Sequence, residues 1–156
     1  MINHVVIRLG ELADLSTVAD FNVAMAKETE GTELNREIVT RGTKMVLMGN
    51  NHGFYMVAEY EEQVLGSLLV TFEWSDWRCA RFWWVQSVYV RPEFRKRGVY
   101  RRLYAHTKTL AKQQPGVCGL RLYAINTNVQ AQKTYMQLGM QKTGYEVFEE
   151  SIEKFR

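Results

Sequence analysis

Two cysteines among 156 residues, Cys79 and Cys118, cannot build a disulfide scaffold. Neither lies in a C-x-x-C or a Cys/His cluster, so no zinc framework and no other metal site is implied. Both are expected to be buried, reduced thiols. Two prolines and 11 glycines leave no room for a long flexible linker. No stretch approaches the ~18 apolar residues of a membrane span. The opening segment MINHVVIRLGELADL lacks the charged stretch and long apolar run of a secretion signal. A cytoplasmic protein with no membrane partner is the expectation. Internal repeats and low-complexity segments are also missing.

What is present fits an ordinary globular chain. Hydrophobic residues make up 46%, charged residues 24% and aromatic residues 12%. The length predicts a single domain over 1–156 with a real core, much of it aromatic. The net charge is only +3, but it is unevenly placed. Residues 91–102 carry Arg91, Arg95, Lys96, Arg97, Arg101 and Arg102 against one acid, Glu93. The remainder of the chain is slightly acidic. A nucleic-acid binder spreads positive charge over a face, whereas one basic loop on an acidic body suits a small polyanion. No nucleic-acid partner is expected.

The pattern of residues predicts an α/β fold in three layers. Residues 4–9 read as a strand, and Asp14 or Ser16 caps a helix running to Glu30 before Gly31. A second helix covers Asn35–Met48. Residues 53–60 and 63–72 read as a hairpin turning at Glu61-Glu62, with Gly66 marking a bulge or a close backbone approach. The aromatic and β-branched run 80–90 reads as a central strand, stopped at Arg91-Pro92. A helix from Gly98 to Gln114, a strand over 119–125, a helix from Asn128 to Leu138 and a last strand over 141–148 complete the order.

Two segments carry chemistry. In Val88–Leu103, VYVRPEFRKRGVYRRL, a strand runs through a basic loop into a helix. The first turn of a helix offers free backbone N–H groups and a positive dipole end, an anion site that needs no metal. Gly98 would let a pyrophosphate approach the backbone, and Arg95, Lys96, Arg97 and Arg101 surround it with charge. The segment has neither the G-K-[ST] of a Walker A loop nor a dinucleotide fingerprint. A basic surface turn before an amphipathic helix is the other reading. In the second segment, Asn128, Ala131 and Tyr135 share one helix face, with room beside the small Ala131. Alternatively, Asn128 is a helix cap and Tyr135 a core aromatic.

Together these segments resemble the GNAT superfamily of acyl-CoA-dependent N-acyltransferases. Its cofactor loop, [Q/R]-x-x-G-x-[G/A] after V-x-P, is matched by Val90-Arg91-Pro92 and by Arg95-Lys96-Arg97-Gly98-Val99-Tyr100. Its helix signature N-x-x-A-x-x-x-Y-x-x-x-G is matched at Asn128, Ala131, Tyr135 and Gly139. The resemblance implies a mixed sheet with a splayed pair of strands and acetyl-CoA as co-substrate. It implies that Val88, Tyr89 and Val90 pair with the pantetheine arm and that amides from Lys96 to Arg101 hold the pyrophosphate. Asn128 and Ala131 would line the pantetheine, with Tyr135 near the thioester sulfur as proton donor. It also allows a homodimer.

Two positions depart from the pattern. Tyr100 stands where Gly or Ala is usual, so its ring must point away from the groove. The stretch W-V-Q-S-V-Y-V, with Trp77 upstream, loosely resembles the diamine acetyltransferase branch, but Val85-Gln86-Ser87 replaces that branch's L-E-D. An amide is neither a base nor a counter-charge for a polycation. The branch's catalytic Glu and polyamine substrate are therefore not carried over, leaving water, Glu73 or Asp76 to take a proton. Gln86 and Trp84 remain candidates for orienting an amine of a small molecule or peptide, and Glu28, near Glu30 and Glu33, for attracting it. Two rivals stand beside this reading: a CoA-binding sensor or scaffold of the same fold, and a nucleic-acid module using Arg91–Arg102.

Overall fold

The apolar alternation of 53–60 and 63–75 produces strands β2 (Gly53–Tyr60) and β3 (Gln63–Ser75). Glu61 and Glu62 join them, both with positive φ, 48° and 61°, the signature of a type I′ hairpin turn. In this computed structural model, which describes residues 2–152, the other strands are β1 (Val6–Leu9), β4 (Ala80–Val90) and β5 (Val117–Arg121). The sheet order is β1-β2-β3-β4-β5. All neighbours are antiparallel except β4 and β5, which run parallel because helix α3 (Val99–Gln113) carries the chain back between them.

Helices α1 (Leu15–Glu30) and α2 (Arg36–Leu47) follow β1. Asn35 caps α2, its side chain accepting from the amides of Glu37 and Ile38, while Gly31 ends α1 in the left-handed region. Val18 and Phe21 of α1 bury one face of the sheet through Tyr55, Val57, Val64 and Tyr89. Strand alternation sends Met56, Leu68, Val70, Trp83 and Val85 to the opposite face, where they are as deeply buried. The side of α3 formed by Val99, Leu103, Thr107 and Ala111 is buried in turn. Helices on both faces of one sheet give the expected three-layer α/β architecture. Contact density divides the chain into two compact units, Met1–Arg121 and Leu122–Arg156, and the second contains helix α4 (Val129–Gln137). No helix among the described residues is long and apolar enough to cross a membrane.

Three expectations need correction. Residues 141–148 form no strand and are exposed throughout. A strand exists by its ladder, and the alternation of Tyr145 and Val147 does not create one without a paired edge. The strand expected over 119–125 is instead Val117–Arg121, because its ladder with β4 stops at the pair Trp84–Arg121. Both cysteines are exposed rather than buried. Cys79 sits in the β3–β4 turn with φ 47°, and Cys118 lies on β5 at the sheet's edge.

Asp14 does not cap α1 with its side chain. It turns back to accept two bonds from Arg8, at 2.8 and 3.0 Å, and one from the Glu11 amide at 2.8 Å. Burial alone would raise its pKa, but these donors hold it below the usual carboxylate value. A depressed folded pKa gives stability that is present above the unfolded value and lost as pH falls through the folded one. Asp14→Asn should therefore cost about 1–2 kcal/mol near neutrality and soften the acid limb of the stability curve. Urea titrations at neutral and acid pH check this, and an unchanged neutral-pH midpoint would refute it.

Candidate active site

β4 is straight only as far as Gln86. Gln86 lies opposite Leu69 and Tyr89 opposite Ser67, so Ser87 and Val88 together face the single residue Leu68. Two residues against one is a β-bulge, and Ser87 takes it up with φ 48°. The bulge puts Tyr89 on the same face as Gln86, where its ring stacks on Phe21 at 4.9 Å. Gly66 opposite makes this possible, since a Cβ there would lie 2.6 Å from the Tyr89 carbonyl oxygen. On the other side of β4, pairing with β5 covers Arg81–Trp84. β4 continues to Val90, which leaves the backbone of Val88, Tyr89 and Val90 beyond the parallel ladder. This is the expected splay.

The chain then enters a short 3-10 turn, Pro92–Phe94, and a loop whose Lys96 and Gly98 both have positive φ, 59° and 81°. Left-handed residues spaced this way form a concave nest of backbone amides. Gly98 is the N-cap of α3, and the first intrahelical bond runs from the Arg102 amide to its carbonyl at 3.1 Å. The amides of the preceding turn therefore have no intrahelical acceptor. Val99 is buried, and the Tyr100 ring leans on Tyr104 at 6.2 Å, along the helix. Tyr100 thus occupies its unusual position with its ring packed on the next turn.

The basic residues of this segment have separate roles. Arg91 is structural: its Nε donates to the Val64 carbonyl at 2.9 Å and its guanidinium lies over Phe21. Arg95 donates from Nε to the Val90 carbonyl at 2.8 Å and from Nη2 to Glu28 at 2.7 Å. Arg97 lies over Phe94. Lys96, Arg97 and Arg101 are exposed.

Gln86 and Trp84 share one face with Thr71 and Glu73 of β3 and Phe82 of β4. The Gln86 amide donates to the Thr71 hydroxyl. Glu73 sits on β3 and accepts from Arg121 of β5 at 2.5 Å. The Arg121 guanidinium also covers the Phe82 ring at 3.6 Å. Sequence reading missed Arg121, although the parity of two paired strands would have found it. Asp76 only holds the Trp77 amide in the turn, and Trp74 and Trp77 are exposed. Trp83 is core, edge-on to Phe54 at 5.0 Å. Glu33 pairs with Lys27 at 3.1 Å, whereas Glu28 accepts from Arg95 and, at 3.3 Å, from the Tyr89 hydroxyl. Burial, and then the Glu28 charge, raise the Tyr89 pKa.

In the second unit, Asn128 is the N-cap of α4, its side-chain oxygen accepting from the Ala131 amide at 3.1 Å. Ala131 and Tyr135 are half-buried on the same helix, and burial raises the Tyr135 pKa. Gly139 closes this segment with φ 95°. Among the described residues, no group of His, Cys, Asp and Glu could hold a metal ion.

Residues 16–140 match the family model described as acetyltransferase (GNAT) family. The chain belongs to the GNAT acetyltransferases. A structure described as "a possible acetyltransferase" from Clostridium difficile 630 is 37% identical, with a TM-score of 0.90 over 96% of this chain and 99% of that one. AAC(6')-Iy in complex with the bisubstrate analogue CoA-S-monomethyl-acetylneamine shares the fold at 17% identity, TM-score 0.74, covering 96% and 99% of the two chains. So does a "predicted acetyltransferase with acetyl-CoA" from Clostridium acetobutylicum, at 18% identity and TM-score 0.75, covering 94% and 96%. No curated protein matches this GNAT chain.

Proposed function

We propose that this GNAT chain transfers an acetyl group from acetyl-CoA to an amine of a small molecule or peptide by direct attack. One observation carries the reading: a bulged strand leaves its backbone outside the parallel ladder and runs straight into an amide nest at a helix start. That arrangement fits a long, hydrogen-bonding arm that ends in a pyrophosphate. Val88, Tyr89 and Val90 hold the pantetheine, and the amides from Lys96 to Arg101 hold the phosphates. The family's helix signature implies Asn128 and Ala131 as further residues lining the pantetheine. Acetyl-CoA supplies the acetyl group as an activated thioester.

The protein's part is small. A strand N–H near Val88 stabilises charge on the acetyl oxygen, a contribution of about 10²–10³ in rate for a well-placed donor. The amine nitrogen forms the new C–N bond as the C–S bond breaks. One amine proton goes to water, the departing sulfur takes a proton from the Tyr135 phenol, the donor that the family's helix signature implies, and solvent reprotonates the phenolate. Gln86 and Trp84 orient the acceptor. The Gln86 amide offers no counter-charge for a polycation, so a polyamine is not proposed.

Calorimetric titration with acetyl-CoA and with CoA tests the reading, followed by an amine panel assayed for free thiol. We expect micromolar-range binding and thiol release with at least one amine. A folded protein that binds neither ligand refutes the proposal. Binding with no thiol release from any amine would instead favour a sensor, the role compatible with an amide at Gln86.

A further inference from the structure

Glu28 sits in the last turn of α1, and Arg95 precedes the α3 N-cap by three residues. Sixty-seven positions apart in sequence, they meet at 2.7 Å. The Glu28 carboxylate accepts from Arg95 through one oxygen and from the Tyr89 hydroxyl through the other. The Arg95 guanidinium also lies over the Tyr89 ring, 5.3 Å from its centroid. Glu28, Arg95 and Tyr89 thus form a closed group at the residue that opens the loop carrying Lys96 and Gly98. Among the described residues no carboxylate pairs with Lys96, Arg97 or Arg101. Arg95 is the loop cation that already has an anion.

We infer that Glu28 is an internal competitor for the cofactor's phosphates, holding Arg95 until they displace it, and so sets cofactor affinity from the α1 side. This rests on the assignment of the nest to the pyrophosphate of CoA. Two physical points support it. The pair is half exposed, with 41% and 42% of the two side chains accessible, and exposed ion pairs are worth only about 0–1 kcal/mol. It yields easily to a phosphate, whose charge-assisted bonds to a guanidinium are stronger and bidentate. The sign is the distinctive point. If Glu28 merely oriented Arg95 for binding, removing its charge would weaken CoA. As a competitor, its removal tightens CoA.

The experiment is calorimetric titration with CoA of the full chain, of Glu28→Gln, of Arg95→Gln and of the double variant, at low and at physiological salt. Glu30→Gln, a carboxylate in the same helical turn, controls for generic loss of charge. Glu28→Gln should bind CoA roughly two- to fivefold more tightly at low salt, with a smaller gain at physiological salt. In the Arg95→Gln background the same substitution should gain less than twofold, and Glu30→Gln should stay within twofold of wild type. Thermal melts with CoA absent verify folding, and any variant that fails to fold is replaced by the corresponding alanine. Unchanged or weaker CoA binding by Glu28→Gln overturns the inference and leaves the cofactor assignment standing. An equal gain in the Arg95→Gln background or in Glu30→Gln overturns it as well. No CoA binding by the folded wild type overturns the cofactor assignment and this inference with it.

Discussion

Gly98→Glu should abolish acetyl-CoA binding, weakening it at least about 100-fold, while the protein still folds. Two effects add. Gly98 sits at φ 81°, where a residue with a side chain pays about 1–2 kcal/mol. The larger effect is electrostatic: a carboxylate at the N-cap would stand where the pyrophosphate must lie. At about 4 Å and a surface-like dielectric, two like charges repel by about 4 kcal/mol. Gly98→Ala separates these effects, because it keeps the strain and omits the charge. It should lose about 1 kcal/mol of stability and bind acetyl-CoA within about tenfold of wild type. Calorimetry read beside thermal melts decides. If Gly98→Ala fails as completely as Gly98→Glu, backbone conformation rather than charge governs the loop. If both bind normally, the nest is not the phosphate site.

Tyr135→Phe should lower kcat about 100-fold or more and leave the acetyl-CoA dissociation constant within twofold, in line with the loss of one positioned proton donor. The pH profile sharpens this. Burial holds the phenol above its ordinary value of about 10, so it is still mostly protonated at about pH 9.5. Wild-type kcat should therefore climb with pH up to about 9.5 without a descending limb from Tyr135. Tyr135→Phe should climb in parallel from a lower level. A descending limb that disappears in the variant would mean the phenol titrates lower than its burial dictates. An unchanged kcat in the variant would move the proton to water.

Much of the scaffold is legible in the sequence because it is set by local chemistry. The β-branched and aromatic run 80–90 forms β4 over those same residues, and Gly31, Asn35 and Gly98 mark helix ends where their backbone and side-chain preferences place them. The loop before α3 is legible for the same reason: its strand, left-handed residues and helix start follow one another in sequence. The rest depends on partners distant in sequence. Nothing local marks Ser87 for a positive φ, since serine carries no such preference. The Glu28–Arg95 and Glu73–Arg121 pairs span 67 and 48 residues. Residues 141–148 show the reverse case, a strand-like alternation with no ladder to join.

The Ser87 bulge has a consequence for how this protein can change. It resets the phase of β4, so the strand behaves as two segments in series. Residues up to Gln86 keep register with β3 at Leu69 and beyond, and residues from Tyr89 keep register at Ser67 and Gly66. Substitutions that reshape the first segment around Trp84 and Gln86 need not disturb the second, which leads into the loop before α3. Deleting one residue at the bulge would straighten the strand and fuse the two registers, rotating Tyr89 away from Phe21 or Gln86 away from Thr71. A bulged strand of this kind lets the surface around Trp84 and Gln86 drift while the segment that enters the loop before α3 stays fixed.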